Sequence, residues 1–189
     1  MKKRFGFGVF LSILILAAGC IPTINPLYTE KDLLEDPRLE GEWIHEDSEQ
    51  GWSFAKSGDR QYELVFTDKQ KREGRFIARL FKLDETLYLD LFPQKPHLDA
   101  PEFYKLHLLS AHTFMRVRFG DKRLGLAPVH PERLEKLLKA DPDGMPYVRR
   151  KKVNPRILLI GSTAQLQAFV RKHGPSGELF ADDMELKKQ

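Results

Sequence analysis

The chain has 189 residues, of which 41% are apolar, 31% charged and 11% aromatic, values that fit one globular domain and exclude an intrinsically disordered chain. The net charge is +4, but Lys2, Lys3 and Arg4 stand ahead of an apolar run, and the remaining +1 gives no ground for a nucleic-acid binder. A single cysteine excludes an internal disulfide.

The first segment has the layout of a secretory signal. Met1 to Arg4 is positive, Phe5 to Leu16 is apolar apart from Gly6, Gly8 and Ser12, and Ala17-Ala18-Gly19-Cys20 sets small residues before a thiol. Small residues let a signal peptidase close on an extended backbone, and the thiol can carry a thioether-linked lipid. Residues 17–20 resemble the lipobox of bacterial lipoproteins, departing from it at Ala17, where leucine is commoner. The resemblance implies that residues 1–19 are removed, that Cys20 carries lipid, palmitate included, and that the protein is attached to a membrane of the cell envelope. Ile21 lies where an aspartate commonly retains lipoproteins in the inner membrane of enterobacteria, which favours the periplasmic face of the outer membrane. The competing reading is an uncleaved membrane anchor over Phe5 to Ile21, which approaches the roughly 17–25 apolar residues of a spanning helix.

Residues 20–38 then read as the lipidated cysteine, a tether and a short helix. Pro22 and Pro26 hold Ile21 to Tyr28 extended, and Thr29 with Asp32 three residues on resembles a capping box for a helix over Glu30 to Glu35. From Leu39 the polarity alternates with the period of strands. Eight candidates follow: Leu39–Glu46, Trp52–Lys56, Gln61–Thr67, Gly74–Leu83, Thr86–Phe92, Glu102–Leu109, Thr113–Phe119 and Arg123–Ala127. The short connections imply antiparallel neighbours, and Thr86–Phe92, apolar on both faces except at Asp90, is central or covered by a helix. Pro131 and Glu132 open a helix over 131–140 with Leu134, Leu137 and Leu138 on one stripe. Arg156–Ile160 reads as a buried strand, and Ser162 caps a helix ending near His173 and Gly174. The expected fold is mainly β (α+β): an antiparallel meander, barrel-like or strongly curved, with two packed helices near 131–140 and 163–173. One domain spans 39–174, and residues 175–189 are expected to form a loose tail.

Gly41-Glu42-Trp43 at the head of the first strand resembles the Gly-x-Trp that opens calycins such as lipocalins. That resemblance implies a Trp43 that plugs the closed end of a small barrel, Gly41 beside it, and an interior able to hold one small ligand. The family also packs a basic residue from late in the barrel over this tryptophan; Arg123 is not assigned to that role.

Charge is polarised along the chain: residues 20–115 carry 12 basic and 18 acidic side chains, residues 116–156 carry 12 and 5, and residues 157–189 carry 4 and 4. Arg149, Arg150, Lys151 and Lys152 form the one dense run, a candidate contact for anionic lipid or lipopolysaccharide, or else a solvated hairpin edge. His97, His107 and His112, with Asp90 and Glu102, lack the spacing of a metal site. Asp141-Pro142-Asp143-Gly144 lacks the later acidic ligands of a calcium loop, and no nucleophile or phosphate loop has a recognisable neighbourhood. Neither an enzyme nor a cofactor is indicated. Two binding readings stand: a small apolar or amphipathic ligand held between sheet and helices, or an interaction module that contacts another envelope protein or anionic lipid through residues 116–156.

Overall fold

The computed structural model describes residues 20–45, 47–94, 99–151 and 157–189. The expected signal segment, residues 1–19, together with Glu46, His97, Lys152 and Arg156, lies outside the described residues. Among the described residues, eight strands close into an antiparallel barrel: β1 (Gly41–His45), β2 (Gly51–Gly58), β3 (Gln61–Thr67), β4 (Glu73–Leu83), β5 (Thr86–Pro93), β6 (Thr113–Gly120), β7 (Arg123–Pro128) and, last, β10 (Met184–Lys188). The first seven form the meander that the alternation implies, each paired with the next.

The closing strand comes from the segment expected to be a loose tail. Met184 and Leu186 pair with Leu126 and Leu124 of β7, while Leu186 and Lys188 pair with His45 and Trp43 of β1. Residues 175–189 are therefore not loose. Without β10, two strand edges would keep unpaired N–H and C=O groups. The expected strand over Glu102–Leu109 is also corrected. β5 and β6 pair directly, Leu91 with Thr113, so the barrel has no place for a strand between them. The chain leaves the barrel there and forms a single helical turn, α1 (Glu102–Lys105).

Alternation gives the strands two faces and the molecule two cores. One face fills the barrel with Leu64, Ala78, Leu80, Leu89, Leu124 and their neighbours. The opposite face of β4 to β7 presents Phe81, Tyr88, Phe114 and Ala127 outward, and two helices cover it. They are α2 (Pro131–Ala140), which buries Leu134 and Leu138, and α3 (Thr163–His173), which buries Leu166, Phe169 and Val170. α3 begins in a capping box: the Ser162 hydroxyl accepts the Gln165 N–H at 3.3 Å, and the Gln165 carboxamide oxygen accepts the Ser162 N–H at 2.9 Å. A small separate sheet pairs β8 (Tyr147–Arg149) with β9 (Ile157–Leu159), and Ile157 and Leu159 are buried as expected.

The stretch expected to be a free tether is part of this outer core. Ile21 and Leu27 are buried, and residues 21–34 run along the outside of the barrel, meeting His112 at one end and β4 further on. Thr29 and Asp32 form their capping box around a three-residue 3-10 turn, Glu30–Asp32, shorter than the helix expected to reach Glu35. The backbone then pairs outward: the Leu34 N–H donates to the Leu80 carbonyl at 3.0 Å, which draws the chain from helical into extended geometry. Gln167 of α3 donates to the Leu27 carbonyl at 3.0 Å and to Asp32 at 2.8 Å, tying helix and segment together.

Candidate functional site

Trp43 is buried in the barrel, and its indole N–H donates to the Leu39 carbonyl at 2.9 Å. Gly41, two residues earlier, has φ +117°, a conformation that L side chains rarely adopt, and a Cβ there would come 2.9 Å from Cε of Lys188. Glycine at 41 therefore admits the lysine stem, whose ammonium sits 5.1 Å from the Trp43 ring centre. Lys188, not Arg123, is the basic residue from late in the barrel that packs over the tryptophan. Sequence reasoning missed it because it lies in the polar last strand. Arg38 covers Phe119 at 4.5 Å, and Tyr62 holds Asp36 through its hydroxyl, which accepts the Asp36 N–H at 2.8 Å.

The barrel interior is occupied by its own side chains. A residue facing a void wide enough for water would keep accessible surface toward it; Leu64, Leu80, Leu89, Leu124, Leu126 and Leu186 are each 0% exposed. An eight-stranded barrel is just wide enough for this kind of filling. Two depressions lie outside it. One, of about 210 Å³, lies between the β4–β5 turn and α3, lined by Leu83, Tyr88 and Val170 among others. The other, of about 480 Å³, is an open hollow on the wall of β1 to β4 with mixed polar lining.

At the opposite end of the described chain Cys20 is exposed, and the three residues from Pro22 to Ile24 are hydrogen-bonded on both sides. Thr23 exchanges backbone hydrogen bonds with His112, at 2.8 and 2.9 Å, at the entrance to β6. Leu159 of β9 donates to the Pro22 carbonyl and accepts from the Ile24 N–H, both at 3.0 Å. Beneath this seam lies Asp90, 2% exposed, sharing a 2.7 Å hydrogen bond with Nδ1 of His112. Burial pushes the Asp90 carboxyl above its ordinary value, opposed by the contacts with His112 and the Leu27 backbone. The apolar pattern of β5 marks Asp90 as the exception on its strand, but only the fold gives it a partner.

The remaining predicted residues are dispersed. Arg149 pairs with Glu135 of α2 at 2.8 Å, Lys151 is exposed, and Arg150 is half-buried. Part of the basic excess of residues 116–156 is answered by an acid from elsewhere: Asp183 takes Arg116 at 3.0 Å and Arg118 at 2.9 Å. His107 bonds locally to the Phe103 carbonyl, apart from His112. Among the described residues no group of three His, Cys, Asp or Glu side chains is placed to hold a metal ion.

Neither family models, curated proteins nor solved structures give a match to this chain. The closed eight-stranded barrel with its Gly-x-Trp start is consistent with a calycin-like fold.

Proposed function

We propose that this chain is a bacterial envelope lipoprotein held to a membrane by lipid on Cys20, and that its barrel is a packed scaffold that works by contact. The single observation that carries the contact reading is the filled interior: core leucines on five different strands have no accessible surface. A carrier needs an enclosed, mostly apolar cavity of roughly 300–1,000 Å³ for a drug-sized ligand; the apolar depression beside α3, at about 210 Å³, falls short in volume, and the hollow of about 480 Å³ on the wall of β1 to β4 is open and half polar in its lining. The anchor reading is supported by the residues before Cys20 and by the exposure of Cys20 immediately ahead of a docked segment. On this reading the function is binding rather than catalysis, the partner is an envelope protein or an anionic lipid surface, and Ile21 directs the protein to the periplasmic face of the outer membrane.

Metabolic labelling with a fatty-acid probe tests the anchor: wild type takes up the label and Cys20→Ser does not. Equal labelling of both would remove Cys20 from the proposal. A crystal structure of the purified protein with an apolar molecule inside the barrel would restore the carrier reading.

A further inference from the structure

Folded domains bury their large apolar side chains, so those left outside are informative when they cluster. The exposed large hydrophobic residues of the described chain are Phe103, Tyr104, Leu106, Leu108, Leu109, Val148 and Ile160, with Phe103, Leu106 and Leu109 each more than 75% exposed. None lies on the barrel wall. Five come from α1 and the residues just after it, one from β8, and one, Ile160, directly follows β9.

Both groups converge on the residues that follow Cys20. The α1 segment, α1 together with the chain that follows it, runs on to His112, which is hydrogen-bonded to Thr23, and Leu109 is three residues before it. Ile160 follows Leu159, which is bonded to both Pro22 and Ile24, and Val148 faces Leu158 across the same sheet. Three residues of extended chain span about 10 Å, so the nearest exposed leucine, the exposed isoleucine and the point of lipid attachment lie within a few residues' reach of one seam. The polar groups of the α1 segment are paired locally, leaving the apolar side chains without competition: Lys105 binds Glu102 at 2.7 Å, and the His107 ring binds the Phe103 carbonyl. Lys151, exposed next to β8, adds a cation of the sign that anionic headgroups attract.

We propose that the α1 segment, with Val148 and Ile160, is a membrane-docking face that enters the bilayer into which the lipid on Cys20 is inserted, fixing the orientation of the barrel on the membrane. This inference rests on the lipid-anchor reading. The occupant is the bilayer rather than a protein because the apolar surface is gathered around the attachment point of the acyl chains. An anchor carried on a docked segment, not on a free tether, holds that surface against the membrane.

The test uses the full chain, exported, lipidated and reconstituted in vesicles of phosphatidylethanolamine and phosphatidylglycerol. With Cys20 acylated, Leu106→Cys supplies the sole free thiol, which takes a polarity-sensitive dye; Asp121→Cys, in the β6–β7 turn at the opposite end of the barrel, is the control. Dye at 106 is expected to shift to shorter wavelength and to be quenched several-fold more by lipid-borne nitroxide than dye at 121, which iodide in the water quenches instead. Adding Phe103→Ser and Leu109→Ser should return the dye at 106 to water. Dye at 106 open to iodide, in protein whose mass shows acylated Cys20, overturns the docking face and leaves the anchor standing. Dye at 106 shielded from both quenchers assigns the face to a protein or a second copy and also overturns it. An unmodified Cys20 overturns the anchor, and the docking face with it.

Discussion

The two cores lie on opposite faces of the same strands, yet they are built in different ways. The barrel interior comes almost wholly from consecutive hairpins, in which every second residue of β2 to β7 points inward. The outer core gathers Leu27, Leu33, helices α2 and α3, and Leu179 and Phe180 onto the backs of β4 to β7, joining residues more than a hundred positions apart. The difference teaches that local alternation suffices to fill a barrel but not to cover it. Covering it needs segments whose polarity is legible only when their docking site is known. The one interior contribution that breaks the local rule, β10, is also the one that arrives from far along the chain.

Deleting residues 184–189 gives the sharpest break, since it removes the strand between β1 and β7 and leaves both edges unpaired. Cooperative unfolding in urea should be lost; a deleted protein that keeps wild-type cooperativity would show that the barrel does not depend on closure. Trp43→Ala comes next, at about 3–5 kcal/mol from lost packing and the cavity left behind. Leu166→Ala in the outer core should cost about 2–5 kcal/mol by the same mechanism. Both tryptophans lie in the barrel core, so their fluorescence reports that core while helical circular dichroism reports the other. Coincident transitions in both variants would mean one cooperative unit, and separated ones two.

The pH dependence reports on the seam where the residues after Cys20 dock on the outer side of the barrel. Because burial raises the Asp90 carboxyl above its ordinary 3.8, the folded state holds that proton more tightly than the unfolded chain. Its contribution to stability is fully present below 3.8 and is withdrawn as pH rises through the raised value. Asp32 acts in the opposite sense. Its burial tends to raise the carboxyl, but hydrogen bonds from Thr29 and Gln167 outweigh this and hold it below 3.8, so its contribution is present above 3.8 and lost as pH falls through the lowered value. Asp90→Asn should therefore flatten the decline of stability between pH 3.8 and neutrality, measured by urea midpoints across that range, and leave the acid limb unchanged. An unchanged slope would mean that Asp90 keeps an ordinary carboxyl. The smallest effect is expected at the barrel end: Lys188→Met keeps the stem over Trp43 and loses the cation, for about 0.5–1 kcal/mol. A loss above about 2 kcal/mol would mean that the ammonium is more deeply desolvated than an exposed cation over an aromatic ring.

The sequence by itself determined the meander, the two helices with their caps, and Trp43 as a core residue, because these follow from near-neighbour periodicity and from donors satisfied within a few residues. Seven of the eight expected strands lie where alternation puts them, and Gln61–Thr67 agrees to the residue. The tertiary structure alone decided four things. The barrel is closed, and by the polar C-terminal strand. Glu102–Leu109 is expelled, because β5 and β6 already satisfy one another. The stretch after Cys20 is docked, not a tether. The basic excess of residues 116–156 is partly cancelled by Asp183, 65 and 67 positions away from Arg118 and Arg116. The physical reason is common to the first, third and fourth. Two apolar residues in β10, or two prolines after Cys20, are too weak a local signal to specify structure; they are ordered by backbone groups and charges left unpaired elsewhere in the chain, which exist as partners only once the rest has folded.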